Sequence, residues 1–140
     1  MSAPVIVDSG PLIAAVDARD KDYAAVMSVL TDSRYELIVP ALCVAEAAYL
    51  VAVKYGPAIE AAFLRGLAVL DVQAPHPDDW ARIAELVERY GDFRLGATDA
   101  SVVALAERLN TDLIVTLDRR HFGVVRPAHF VAFRLLPEPG

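Results

Sequence analysis

Apolar residues in this chain fall into two alternating patterns: short continuous runs, and longer stretches in which they recur every three to four positions. The first pattern suits strands buried in a parallel sheet, and the second suits helices that pack on it. The runs predict strands at residues 5–7, 37–39, 69–72, 113–117 and 130–133. The fourth, LIVTL, is the clearest because it is rich in β-branched residues. Between the strands, helices are expected at 12–16 and 23–30 as a hairpin, then at 41–55, from 57 to about 68, at 77–90 and at 98–109. Local signals mark the ends: Pro40 precedes the third helix, Gly56 stops it, and Pro57 suits the first turn of the next. Pro77, Asp78 and Asp79 make an acidic helix start. Residues 91–96 read as a loop and 137–140 as a flexible tail, leaving 1–136 as a single domain.

Strands that alternate with helices predict an α/β fold, a three-layer sandwich with a mainly parallel central sheet flanked by helices. In such sheets ligands sit beyond the carboxyl ends of the strands, where the following helices begin. A chain of 140 residues with 56% hydrophobic content is the size of one compact domain. Asp8 interrupts the first apolar run before a secretory leader could form, and residues 37–53 contain Pro40 and Glu46 and fall short of a membrane span. A cytoplasmic location with no membrane segment is expected. The single cysteine, Cys43, lies in an apolar helical run and reads as a buried structural thiol, which fits a reducing compartment.

A net charge of −6 argues against a general nucleic-acid binder. The positive charge, however, is mostly arginine, with lysine only at Lys21 and Lys54, and Arg89, Arg94, Arg119, Arg120 and Arg126 gather in the C-terminal half. The planar guanidinium fork suits phosphate, and of this group only Arg119 and Arg120 have a context that sets them apart from ordinary solvated charges.

That context is acidic. Asp8 follows the first strand directly and Asp118 the fourth, so both are expected on one rim of a parallel sheet. Asp99 falls in the first turn of the helix leading into the fourth strand, and Glu46 in the first half of the helix after the second. Taken singly, Asp8 or Ser9 reads equally as a helix cap, Asp99 as a complement to the helix dipole beside a capping Thr98, and Asp118 as a turn residue. Glu46 stands apart, because Leu42, Cys43, Tyr49 and Leu50 surround it at helical spacing and no nearby basic residue neutralises it. Burial is therefore expected to demand a cation from outside its helix. Two unit charges ~4 Å apart repel by roughly 4 kcal/mol at an effective dielectric of 20, so four acids on one rim require a positive partner. Oxygen ligands suit Mg²⁺ or Mn²⁺, and His76, His121 and His129 are scattered without zinc-site spacing. A hydrated divalent ion on carboxylates is the usual apparatus of phosphodiester hydrolysis.

The stretches VIVDSGPLIA, VAEAAYL, RLGATDASVVALAERL and IVTLDRRHF together resemble the successive acidic motifs of PIN-domain ribonucleases, specifically VapC-type toxins. The likeness spans essentially the whole chain, with TDASVVALAERL and TLDRRHF its most specific parts. It implies a PIN-like sandwich, Mg²⁺- or Mn²⁺-dependent endonucleolytic cleavage of tRNA or ribosomal RNA, a homodimer and inhibition by a cognate VapB antitoxin. Under it, Asp8, Asp99 and Asp118 hold metal while Glu46 holds or orients the attacking water. Thr116 and Ser9 support the acids, Asp92 is an additional nearby acid, and Arg119 and Arg120 contact RNA. Haloacid-dehalogenase phosphatases want a second acid where this chain has Gly10, and phosphoreceivers want a lysine near the last strand that is missing here. The remaining alternative is a catalytically inactive PIN-like protein-binding module, against which the presence of all four acids argues.

Overall fold

The computed structural model describes residues 2–139. The chain runs through β1 (Ala3–Val7), α1 (Ser9–Ala14), α2 (Tyr23–Leu30), β2 (Tyr35–Pro40), α3 (Ala41–Tyr55) and α4 (Pro57–Gly66). It continues through β3 (Asp71–Gln73), α5 (Pro77–Arg89), α6 (Ala97–Arg108), β4 (Leu113–Val115), α7 (Arg119–Val124) and β5 (Arg134–Leu136), with short 3-10 turns at Leu67–Val69 and Gly91–Phe93. Gly56 joins α3 to α4 at φ 84°, a left-handed conformation that glycine adopts without penalty.

All five strands are parallel, in the order β3-β2-β1-β4-β5. The order reverses at β1: the chain builds outward through β2 and β3, then returns to lay β4 on the other side. Crossovers thus leave β1 and β4 in opposite directions and open a crevice at their carboxyl ends, where α/β sheets place ligands. Val7 lies opposite Val115, and the Asp8 N–H donates to the Val115 carbonyl at 2.9 Å. Asp8 and Thr116 therefore leave the sheet side by side.

Helix α6 is the centre of the core. Every residue of Ala100, Ser101, Val102, Val103, Ala104, Leu105 and Ala106 is buried, and the helix packs against β1, β2 and β4 as well as α3 and α5. Its small residues let elements approach from all sides. Helix α5 contributes Ile83 and Leu86 to this core and is pinned outside it by ion pairs. Arg82 donates from Nε and Nη2 to the two oxygens of Glu107, each at 2.8 Å, and Arg108 donates to Asp79 at 2.9 Å. Asp79 also accepts the His76 N–H at 2.8 Å, closing the start of α5 as its acidic sequence suggested.

The expected elements are present with shifted ends. The helix expected at 12–16 begins at Ser9, because Asp8 accepts the Ser9 N–H and Pro11 fits a first turn. The strand expected at 113–117 ends at Val115: the Thr116 N–H still donates to the Leu136 carbonyl at 2.8 Å, while its hydroxyl turns to Asp8 and to the Asp118 N–H, and Leu117 is exposed. The third strand starts at Asp71, because Leu67–Val69 coil into a 3-10 turn. Residues 130–133 are not a strand: Phe130 and Val131 are exposed, and the pairing with β4 begins at Arg134. The helix containing Asp99 starts at Ala97 after Gly96, so Thr98 lies inside it and does not cap it. Helix α7 was not expected, since RRHFGV carries no helical apolar repeat and only Phe122 is buried. Within the expected tail the Pro137 carbonyl accepts from Arg119, and Gly140 lies outside the described residues.

Leu86→Ala is expected to cost about 2–5 kcal/mol of stability, whereas Val131→Ala stays within about 0.5 kcal/mol, as urea unfolding would measure.

Candidate active site

Two hydroxyls organise the carboxyl edge of the sheet. Thr116 Oγ donates to Asp8 Oδ2 at 2.8 Å and accepts the Asp118 N–H at 2.9 Å, joining the ends of β1 and β4 through one side chain. The other oxygen of Asp8 accepts the Ser9 N–H at 2.8 Å, and Ser9 Oγ in turn donates to Glu46 Oε1 at 2.7 Å. Asp8, Glu46 and Asp118, carried by three separate elements, are thereby linked through Ser9 and Thr116. Asp99 enters from the first turn of α6, half-buried.

The charges of the four acids act on one another. Burial raises the Asp8 carboxyl, the Thr116 and Ser9 hydrogen bonds pull it back, and the charges of Glu46 and Asp118 push it up again. Asp99 is pushed up to about 6, first by burial and then by the charge of Asp8, with Asp118 and Glu46 adding to it and His121 opposing. Cys43 is fully buried with Sγ 3.8 Å from Asp8 Oδ1. Burial, then the charges of Asp8, Glu46 and Asp99, drive its thiol far up, so it stays protonated and unreactive, as a structural cysteine should.

Glu46 departs from expectation. It is exposed, and of its apolar helical neighbours Tyr49, at 68% accessible, and Leu50 are exposed with it, Leu42 is half-buried and Cys43 alone is buried. The buried side of α3 is instead the row Cys43, Ala47 and Val51. An apolar neighbourhood in sequence is not a desolvated one, and Glu46 is held by the Ser9 hydroxyl and forms no ion pair among the described residues.

His121, which its sequence context did not single out, stands in the centre. Its Nδ1 lies 2.6 Å from Asp118 Oδ2, and its backbone N–H donates to Asp118 Oδ1 at 2.9 Å. Its Nε2 lies 3.1 Å from the Phe93 carbonyl oxygen, and its ring meets that of Phe93 edge to face at 5.0 Å. The hydrogen bond to Asp118 is the main cause that raises the His121 pKa. One ligand atom from each of Asp99, Asp118 and His121 falls within 4.8 Å of the others. The signal was the Asp118 to His121 spacing of three, which faces both side chains together only once α7 is known to be helical.

Arg120 stacks its guanidinium over Phe93 at 5.1 Å, Arg119 donates to the Pro137 carbonyl, and both arginines are exposed. Asp92 sits exposed in the turn Gly91–Phe93 and, among the described residues, bonds to none of the four acids. Asp8, Asp99 and Asp118, buried or half-buried carboxylates whose charges act against one another, make a set that a hard divalent cation would stabilise.

Residues 5–126 match the PIN domain family. Ribonuclease VapC26 of Mycobacterium tuberculosis is 38% identical over 135 residues, covering 95% of this chain and 100% of that relative. Among solved structures, Mycobacterium tuberculosis VapC20, a sarcin-ricin loop cleaving toxin, matches with a TM-score of 0.71 at 16% identity over 79% of this chain and 86% of that one. VapBC2 from Rickettsia felis, bound to a DNA fragment from its promoter, matches with a TM-score of 0.69 at 15% identity over 94% and 98%. The solved structures establish the shared fold, and the family match together with the 38% identity establishes the kinship. An acidic edge built on this sheet order, in a chain so related, places the protein in the PIN-domain family, among its VapC-type members.

Proposed function

We propose that this protein is a divalent-metal-dependent endoribonuclease, a toxin neutralised by a VapB-type antitoxin. The observation that carries the reading is the Asp8–Thr116–Asp118 link at the junction of β1 and β4, with Asp99 and Glu46 in the same field. Asp8, Asp99 and Asp118 offer the oxygen donors that Mg²⁺ or Mn²⁺ prefers, and the one cysteine nearby is held as a thiol. A bound ion of this kind offsets phosphate charge, activates a water and stabilises the leaving oxygen. Ser9 fixes one oxygen of Glu46 and leaves the other free to orient that water and accept its proton, in a position open to solvent. Thr116 holds one oxygen of the Asp8 carboxylate and the backbone N–H of Asp118, which ties the two residues together at the ends of β1 and β4.

Arg119 and Arg120, at the start of α7 beside Asp118, are placed to contact RNA phosphates, with tRNA or ribosomal RNA as the proposed substrate class. Asp92 is left out of the proposed site because nothing ties it to the other acids. Two apolar surfaces support the partners. The exposed face of Tyr49, Leu50 and Val53 on α3 is the proposed homodimer contact. The groove lined by Leu12, Val16, Met27, Leu30, Phe63 and Leu67 is the proposed seat of an apolar antitoxin segment. No helix among the described residues is long and apolar enough to cross a membrane, which is consistent with work in the cytoplasm. The net charge of −6 and these apolar surfaces also suit a protein-binding module without catalysis, and an RNA cleavage assay separates the two.

Purified protein is expected to cleave RNA with Mg²⁺ or Mn²⁺ and not with chelator. Asp8→Asn and Asp99→Asn should each lower the cleavage rate by more than about 100-fold, beyond the loss typical of groups that only support a ligand. Retained cleavage in either variant would sink the site assignment.

A second outcome concerns stability without metal. Because the folded pKa of Asp99 lies above its ordinary value, the stability it contributes is fully present below pH 3.8 and is lost as pH rises through about 6. Asp99→Asn removes that loss, so in chelator the variant should be more stable than the parent above about pH 6, with the difference vanishing near pH 3.8. Urea midpoints across this range measure it, and a pH-independent difference would contradict the cause assigned here.

A further inference from the structure

Asp118 is held differently from Asp8. Asp8 is buried and gripped by two neighbours from different elements, whereas the Asp118 side chain is 36% exposed. A carboxylate this open rotates about its side-chain torsions unless hydrogen bonds stop it. Both of its oxygens are taken by one residue: Oδ1 by the His121 backbone N–H at 2.9 Å, and Oδ2 by the His121 ring at 2.6 Å. The far side of the ring is buttressed in turn, with Nε2 facing the Phe93 carbonyl oxygen at 3.1 Å and the ring edge against the Phe93 ring. With Nδ1 against a carboxylate oxygen and Nε2 against a carbonyl oxygen, the imidazole bridges α7 to the turn Gly91–Phe93 that precedes α6 and Asp99. Helix α7 has only six residues, too few to hold its own geometry in water, so its first turn depends on such an external tie.

We propose that His121 is a positioning residue for the metal site: its Nδ1–H orients Asp118 toward Asp99, and its bond to Phe93 serves to hold the ring. The inference rests on the metal-nuclease reading above and adds to it a residue outside the four acids. His121 touches neither substrate nor water in this role; it acts through Asp118. Hydrogen-bond partners of ligating carboxylates govern how well the ligands converge, and their loss costs about 10–100-fold in metal affinity.

The two ring nitrogens can be tested separately, because an asparagine amide nitrogen falls near the position of Nδ1 and a glutamine amide nitrogen near that of Nε2. Mn²⁺ affinity is measured by calorimetry on the full-length protein, without RNA, alongside kcat and KM for RNA cleavage at limiting and saturating Mn²⁺. His121→Asn is expected to retain the parent's Mn²⁺ affinity. His121→Gln is expected to lose about 10–100-fold, with kcat falling at limiting Mn²⁺, recovering at saturation, and KM for RNA unchanged. Equal behaviour of the two variants, or retention by Gln and loss by Asn, overturns the assignment of Nδ1. A parent protein that binds no Mn²⁺ and cleaves no RNA overturns the metal-nuclease reading itself and the inference with it.

Discussion

Repulsion among like charges is the constraint on which the carboxyl edge of this sheet depends. Asp8 is almost wholly removed from water, and the charges of Glu46 and Asp118 act on it in the same unfavourable sense as burial. The protein offsets this cost with neutral donors, a backbone N–H from Ser9 and the Thr116 hydroxyl, which stabilise the charged form without filling the crevice. Such donors compensate only in part, and the raised Asp8 and Asp99 carboxyls measure what is left over. Under the proposed function, a bound cation would relieve this repulsion.

The sheet order makes this convergence possible. With β1 central and its neighbours β2 and β4 reached by crossovers leading in opposite directions, the ends of β1 and β4 open onto a space no connection crosses. The core helix α6 then delivers Asp99 from its first turn because seven consecutive buried residues leave it no freedom to shift. Rigid placement comes from the core and chemistry from the edge. Glu46 and Asp118 are the more solvent-accessible members, and each is steadied by a single neighbouring residue, Ser9 or His121.

For the proposed RNA substrate, the overall negative charge is weighed by sorting the arginines by partner. Arg19, Arg34, Arg82 and Arg108 are spent in ion pairs with acids, two of them tying α5 to α6. Arg89, Arg94, Arg119, Arg120 and Arg126 enter no ion pair with an acid among the described residues, and Arg89 and Arg120 lie over aromatic rings instead. Arg119 and Arg126 each donate to a backbone carbonyl, of Pro137 and Gly123, and under the proposed function the exposed Arg120 guanidinium is the one with its donors open to phosphate. Net charge describes the whole surface, while a polyanion meets only the part near the site.

Much of the fold was legible along the chain because burial writes itself into local pattern. The runs at 5–7 and 113–115, the helix from Pro40 to Gly56 and the acidic start of α5 all carry their cause within a few residues. So does Asp8 as the residue that follows β1, whereas Asp118, expected directly after the fourth strand, stands three positions beyond its last residue as the cap of α7. Element ends shifted where long-range pairing overrode local composition, as at β5, whose partner β4 selects Arg134 rather than the more apolar residues before it. Glu46 was misjudged because sequence shows which residues neighbour it on the helix but not which face the rest of the molecule covers. His121 reads in sequence as one of three scattered histidines for a related reason: its partners are the carbonyl of Phe93, 28 positions away, and a carboxylate brought within reach only by α7. The sequence by itself determined the α/β class and the acids at the strand ends, because alternation and periodicity are local consequences of burial. Only the tertiary structure decided which donors hold those acids and which face of α3 meets water, because both depend on contacts between segments far apart in the chain.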